Sequence, residues 1–244
     1  MVNSMEVVKG GRTFYGFDIG IMMLDTVFPR IEGDIGNASS FSYPVLYEKV
    51  VGWKPGKVVL DLNKYDIAPF LDAAKRLEQA GCKIISTSCG FLSLFQKEIA
   101  DSVNVSVYTS ALLMAPMVKR TISSDKKVCI LTANKKALSD EHLYSVGIRR
   151  DDYVIYGLED EETFTKFTVQ NWTEVDVDKC RSDLLKVTKK VINENKNIGA
   201  IVLECTNMPP FSKDIQKLSG LPVYDIVNLL GFARNAVNYS RRYI

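Results

Sequence analysis

The chain carries one pattern twice, and the repeat restricts the folds open to it. Lys83-Ile84-Ile85-Ser86-Thr87-Ser88-Cys89-Gly90 and Gly199-Ala200-Ile201-Val202-Leu203-Glu204-Cys205-Thr206 are short apolar runs that end in small or polar residues and a cysteine. Such a run fits a strand buried on both faces of a parallel sheet. The cysteine then lies at the strand's C-terminal end, where open α/β sheets place their ligands. Nineteen positions beyond each cysteine stands a tyrosine in a second apolar run, Tyr108 after Cys89 and Tyr224 after Cys205. A helical stripe precedes each cysteine: Ile67, Phe70, Leu71, Ala74 and Leu77 before the first, Leu184, Thr188, Val191 and Ile192 before the second. The pattern predicts a duplicated helix–strand–Cys–helix–strand unit. The expected fold is α/β with two pseudo-symmetric lobes, each a mainly parallel sheet flanked by helices, and an active site in the crevice between them.

On this reading residues 1–115 form the first lobe and 116–222 the second, with 223–244 returning to the first. A chain of 244 residues gives each lobe enough length to bury a core of its own. The net charge of +2, with no dense Lys/Arg patch, gives no support for a nucleic-acid partner. The pairs Lys126-Lys127, Lys135-Lys136, Lys189-Lys190 and Arg241-Arg242 read as solvated surface. No apolar stretch is long enough to span a bilayer, and Met1 to Thr13 lacks the apolar core of a secretory signal. The five cysteines then read as reduced thiols of a cytoplasmic protein. His142 is the only histidine, and Asp140-Glu141-His142-Leu143 looks like a helix surface. With no CxxC or HxxxH pair, no metal site is expected.

Taken in order, Tyr15–Leu24 is the first core strand. The loop from Asp25 to Asn37 follows, and its glycines Gly33 and Gly36 permit tight turns or a close approach to a ligand. It is either a connection or part of the site, and its length favours the site. Phe41–Val51 is an extended excursion that Pro44 places at a sheet edge. A strand at Val58–Leu62 and a helix at Tyr65–Ala80, stopped by Gly81, complete the approach to the first cysteine. The helix Phe91–Ala100 begins just after Cys89, so its dipole should lower the thiol's pKa. Strand Val105–Tyr108, helix Ala111–Thr121, strand Lys127–Leu131 with Cys129 in the core, and strand Val154–Gly157 follow. Residues 160–178 show no assignable pattern. Helix Asp178–Asn195, with an incidental Cys180, leads to strand Ile198–Glu204. Helix Phe211–Leu218, with Pro210 in its first turn, strand Pro222–Ile226 and a closing helix Val227–Tyr239 end the chain. Glu204 is either a surface residue or an orienter of the Cys205 thiol.

Thr87-Ser88-Cys89-Gly90, Leu203-Glu204-Cys205-Thr206 and the strand end Ile130-Leu131-Thr132-Ala133 resemble the aspartate/glutamate racemase superfamily, over nearly the whole chain. The resemblance implies a cofactor-independent (PLP-independent) enzyme in which Cys89 and Cys205 form a two-base pair. Inverting a stereocentre beside a carboxylate needs a base on one face and an acid on the other, and two facing thiols can exchange those roles. Positioned acid–base groups supply on the order of 10²–10⁴ in rate. Backbone N–H groups after each cysteine would add electrostatic stabilisation. Thr87, Ser88, Gly90, Thr109, Thr132, Thr206, Asn207 and Asn37 are the substrate-binding candidates that follow from it. The amino-acid racemases of this group carry Asn and Thr after the first cysteine, where they bind the substrate carboxylate. Gly90 and Phe91 stand there instead, which leaves room for hydantoins or other carbonyl acids.

The leading expectation is an isomerase, a racemase or epimerase of a small carboxylate-bearing compound. The alternatives are a superfamily relative with other chemistry (hydantoin racemase, maleate-type cis–trans isomerase, a C–C or C–N cleaving enzyme) or a non-catalytic two-lobed ligand-binding protein. The expected partner is a small-molecule substrate, with no nucleic acid, membrane or cofactor. A homodimer is left open.

Overall fold

A computed structural model describes residues 9–61 and 66–237. Its strands fall into two four-stranded sheets of identical strand order. The first contains β1 (Ile19–Leu24), β2 (Val45–Val50), β3 (Ile84–Thr87) and β4 (Ser106–Tyr108), in the order β2-β1-β3-β4. The second contains β5 (Lys127–Thr132), β6 (Tyr153–Gly157), β7 (Ile198–Leu203) and β8 (Val223–Tyr224), in the order β6-β5-β7-β8. Every pairing is parallel. Parallel neighbours need crossover connections, and helices supply most of them. These are α1 (Pro55–Asp61), α2 (Ala68–Gln79), α3 (Gln96–Asp101), α4 (Ala115–Thr121), α5 (Asp140–Tyr144), α6 (Glu162–Thr168), α7 (Val177–Glu194), α8 (Ser212–Ser219) and α9 (Ile226–Val237).

The two long crossover helices form where periodicity and end signals agree. Pro69 occupies the first turn of α2, Phe70, Ala73, Ala74 and Leu77 make its buried face, and Gly81 closes it at φ +96°. That backbone region suits glycine. In α7 the Asp176 carboxylate accepts the Lys179 N–H at the N-terminus, and Cys180, Leu184, Val187, Thr188 and Val191 line the buried face. The central strands β3 and β7, flanked on both sides, are almost wholly buried, while β2 at the edge is half-exposed.

Several sequence expectations need correction. Val58–Asp61 belongs to helix α1 rather than a strand; a short apolar run does not separate the two states, and Pro55 starts the helix at a position where its missing N–H is harmless. Residues after Cys89 form a 3-10 segment, Gly90–Phe95, before α3. The uninterpreted stretch 160–178 contains α6. Residues 223–224 pair with β7 and so remain in the second sheet, while α9 packs against β3 of the first. Arg234 on α9 meets Asp18, just before β1, at 3.4 Å and covers the Tyr43 ring. Leu62, Tyr65, Tyr239, Arg241-Arg242 and most of Met1–Thr13 lie outside the described residues. No helix among the described residues is long and apolar enough to cross a membrane.

Candidate active site

The two strand ends are built alike. In the first sheet the Ser88 N–H donates to Met22 O of β1, and the Leu92 N–H donates to Cys89 O. In the second the Glu204 N–H donates to Leu131 O of β5, and the Met208 N–H donates to Cys205 O. Each thiol also receives a backbone N–H from two residues on, Phe91 for Cys89 and Asn207 for Cys205. The lobes meet at these turns. Thr206 Oγ1 donates to Ser88 O at 2.6 Å, tying one cysteine loop to the other. Cys89 and Cys205 consequently line one narrow cavity.

Of the substrate-binding candidates, Ser88, Gly90, Thr206 and Asn207 also line this cavity. The other four do not, because each is committed to the scaffold. The Thr87 hydroxyl lies 2.8 Å from Cys89 O and 2.7 Å from Thr109 O. Thr109 donates its hydroxyl to Gln96 Oε1. Thr132 donates to Glu204 Oε2 at 2.7 Å. Asn37 caps the turn 38–40 and donates to Arg30 O. These residues shape the walls from behind.

The glycine-containing loop after β1 reaches the second cysteine. Asp34, fully buried, accepts from Arg30 Nη1 at 2.8 Å through Oδ1 and from Asn207 Nδ2 at 2.6 Å through Oδ2. Asn207 Oδ1 accepts the Cys205 S–H at 3.6 Å. A chain of polar contacts thus runs from Arg30 to Cys205. Arg30 lies over the Phe28 ring, 4.2 Å from its centroid, and both line the cavity. Thr26, Phe28, and Thr168 with Val169 at the end of α6 complete a wall that the sequence did not disclose. His142 is also not on a helix surface: it is buried edge-on against Phe91, and burial lowers its pKa to about 4. It supports the wall as a neutral ring.

The electrostatics run opposite to the helix-dipole expectation. Burial first, and then the nearby Glu204 charge, push the Cys89 thiol up to about 12, against the opposing Phe91 N–H and Arg30. The same two causes, in the same order, raise Cys205 well above its ordinary value. Desolvation penalises an ion throughout a buried site, whereas the dipole of a six-residue 3-10 segment is small. Glu204 is itself almost wholly buried, and burial carries it from an ordinary 4.5 up to about 7, despite hydrogen bonds from Thr132 and the Ala133 N–H. Its Oε1 has no hydrogen-bond partner among the described residues. The site therefore holds two protonated thiols beside a carboxyl whose pKa lies near 7.

Residues 63–230 match the model of the Asp/Glu/Hydantoin racemase family. A dimethylsulfoniopropionate lyase of Durusdinium sp. clade D is 34% identical over 236 residues, covering 91% of this chain and 76% of that protein. Dimethylsulfoniopropionate lyase 3 of Emiliania huxleyi is 30% identical over 223 residues, and there the matched part spans 86% of this chain but only 57% of the relative. In fold, the chain is similar to a glutamate racemase from Bacillus anthracis, with TM-score 0.59 and 11% identity over 91% of this chain and 83% of that one. Relatives named as lyases overturn the expectation of a racemase or epimerase, and with it the isomerase class, while leaving the superfamily intact. Two parallel sheets of one strand order, a cysteine at the same rung of each and a family match across most of the described chain make this protein a member of the Asp/Glu/hydantoin racemase family.

Proposed function

We propose that the protein is a lyase that cleaves the C–S bond of a 3-sulfoniopropionate, with dimethylsulfoniopropionate as the substrate to test first. The observation that carries this reading is the 34% identity to a dimethylsulfoniopropionate lyase across 91% of the chain. Two buried thiols and Glu204 on one cavity wall support it chemically.

In the proposed reaction a base takes the proton from C2, next to the substrate carboxylate. The C–H electron pair becomes the C2=C3 double bond, and the C3–S pair departs on sulfur. Acrylate and neutral dimethyl sulfide result. The leaving group needs no proton, so one base suffices, and the Cys89/Cys205 pair provides it. A thiol raised by burial ionises more readily once a sulfonium enters the site, because an adjacent positive charge favours the thiolate. The charged substrate thus helps to generate its own base. Arg30 contributes positive potential toward the substrate carboxylate, whose negative charge builds as C2 loses its proton.

The test is release of dimethyl sulfide, followed by headspace gas chromatography, and of acrylate, followed by proton NMR. Wild-type protein should produce both in equal amounts. At least one of Cys89→Ser and Cys205→Ser, the variant that removes the base, should lower kcat/KM by about a hundredfold or more, the scale of a lost acid–base group. No product from wild-type protein, or full activity in both variants, would end this reading.

A further inference from the structure

Equivalent positions in the two lobes differ in one chemically decisive way. Ser88 and Glu204 each precede a cysteine, each donates its N–H to the neighbouring central strand, and each side chain accepts a backbone N–H at that strand's C-terminal end: from Leu24, the last residue of β1, for Ser88, and from Ala133, the first residue after β5, for Glu204. In the first lobe a short neutral hydroxyl completes this contact. In the second a carboxyl does so and extends further, across to the other cysteine loop. A side chain built on Gly90 would overlap both the Glu204 carbonyl oxygen and Glu204 Oε1. The space beside Cys89 that a residue at position 90 would fill is therefore occupied by a carboxyl from the opposite lobe.

That carboxyl is an unfinished contact. Oε2 is held by Thr132, but Oε1 is buried without a partner, and Glu204 forms part of the cavity wall together with Gly90 and both thiols. Leaving a buried carboxylate oxygen unpaired is unfavourable unless something else meets it. The cavity wall mixes apolar side chains, among them Phe91, Val59 and Phe28, with the polar Arg30, Ser88, Thr206 and Asn207, but no donor among the described residues meets Oε1, which leaves it to a bound ligand. A cation without N–H donors fits such a surface: it offers diffuse positive charge to the carboxylate and methyl groups to the apolar side chains.

We infer that Glu204 is a specificity-determining residue, the counter-charge that selects an onium centre and seats it beside Cys89. The inference rests on the lyase reading for naming that centre as a sulfonium. Arg30 on the same cavity would take the carboxylate end, so the cavity would favour a zwitterion with charges of fixed sense.

The experiment uses two unreactive ligands of the same shape, 3-(trimethylammonio)propanoate and its neutral-tailed isostere 4,4-dimethylpentanoate. Their dissociation constants are measured by calorimetry on wild type, Glu204→Gln and Thr132→Val at pH 6 and pH 8.5. Wild type at pH 8.5 should bind the ammonium ligand at least about tenfold more tightly, the effect of one close charge pair in a partly desolvated site. Glu204→Gln should bring that ratio near one while changing the neutral ligand less than about threefold. In wild type the ratio should fall between pH 8.5 and pH 6 as Glu204 takes up a proton. The other ionisable groups lining this cavity are Cys89, Cys205 and Arg30, with Asp34 behind them, bonded to Arg30 and Asn207; the thiols ionise above that range, so the Gln variant should show no such fall. Thr132→Val, which removes the hydroxyl that favours the ionised carboxylate, should lower the ratio at pH 6 and keep the inference testable if Glu204→Gln misfolds. A preference that survives Glu204→Gln, or none in wild type, overturns the inference. Onium preference without turnover of dimethylsulfoniopropionate defeats the lyase reading alone; turnover without preference defeats the role of Glu204 alone.

Discussion

Replacing Glu204 by glutamine should stabilise the fold at alkaline pH. Burial raises the carboxyl from an ordinary 4.5 to about 7, so the folded state binds its proton more tightly than the unfolded state does. Such a group contributes stability that is fully present below about pH 4.5 and is lost as pH rises through about 7. At about 1.4 kcal/mol per tenfold change in proton affinity, the loss comes to about 3 kcal/mol by pH 8. Glutamine keeps the shape and can still accept from Thr132, but it never ionises. The advantage of Glu204→Gln over wild type should therefore grow by about 3 kcal/mol between pH 4.5 and pH 8. In melting temperature that is about 6–12 °C for a chain of this size. Urea unfolding at half-unit pH intervals measures it directly, provided the slope m stays the same in both proteins. Parallel stability curves across this range would refute the assignment of Glu204 as a desolvated, titrating group. A variant that is both more stable and less active would show stability given up for a charged site.

Gly90→Ala should lower stability by about 1–3 kcal/mol, the range for overpacking, because the new methyl meets a Glu204 backbone oxygen as well as its side chain; thermal melts check the stability and product release checks an expected loss of activity. Thr206→Val removes the hydroxyl bond to Ser88 O that joins the two cysteine loops and should cost about 1–3 kcal/mol, the range for an unmade buried hydrogen bond, with near-normal stability in denaturation curves as the refuting result. Iodoacetamide at pH 8 should modify Cys89 about a thousandfold more slowly than a free thiol, because a pKa near 12 leaves about that much less thiolate; peptide mapping after timed quenching reads the rate, and labelling as fast as in the denatured chain would contradict the burial.

The duplication was legible because two cysteines closed two buried strands, and a run such as Ile201-Val202-Leu203 survives only where both faces are covered. Cavity placement of Ser88, Gly90, Thr206 and Asn207 could be read from the same logic, since each lies within two residues of a strand-end thiol. Thr87, Thr132, Thr109 and Asn37 look equally apt in sequence, and only the folded partners of their hydroxyl and amide groups show that they are spent on the scaffold. The strand expected at Val58–Leu62 fails because so short a run does not display a period; as far as Asp61 it is helix, fixed by Pro55 and by burial of Val58 and Val59. Glu204 carried a signal that local reading left undecided. A charged residue continuing a buried apolar strand is seldom there for packing alone, yet its target, Gly90, lies in the other lobe.

The closing helix has a consequence for how the protein is made. Helix α9 packs on β3 and joins its Arg234 to Asp18, so an early sheet is finished by a late segment. At 5–20 residues per second the interval between Tyr108 and Val237 leaving the ribosome is on the order of 10 s. For that time the first sheet has all its strands and lacks one of its covering helices, with β3 open to whatever else is nearby in the cell. Such a chain should gain from chaperone occupancy during translation, and a circular permutant that begins with residues 226–237 should lose that dependence.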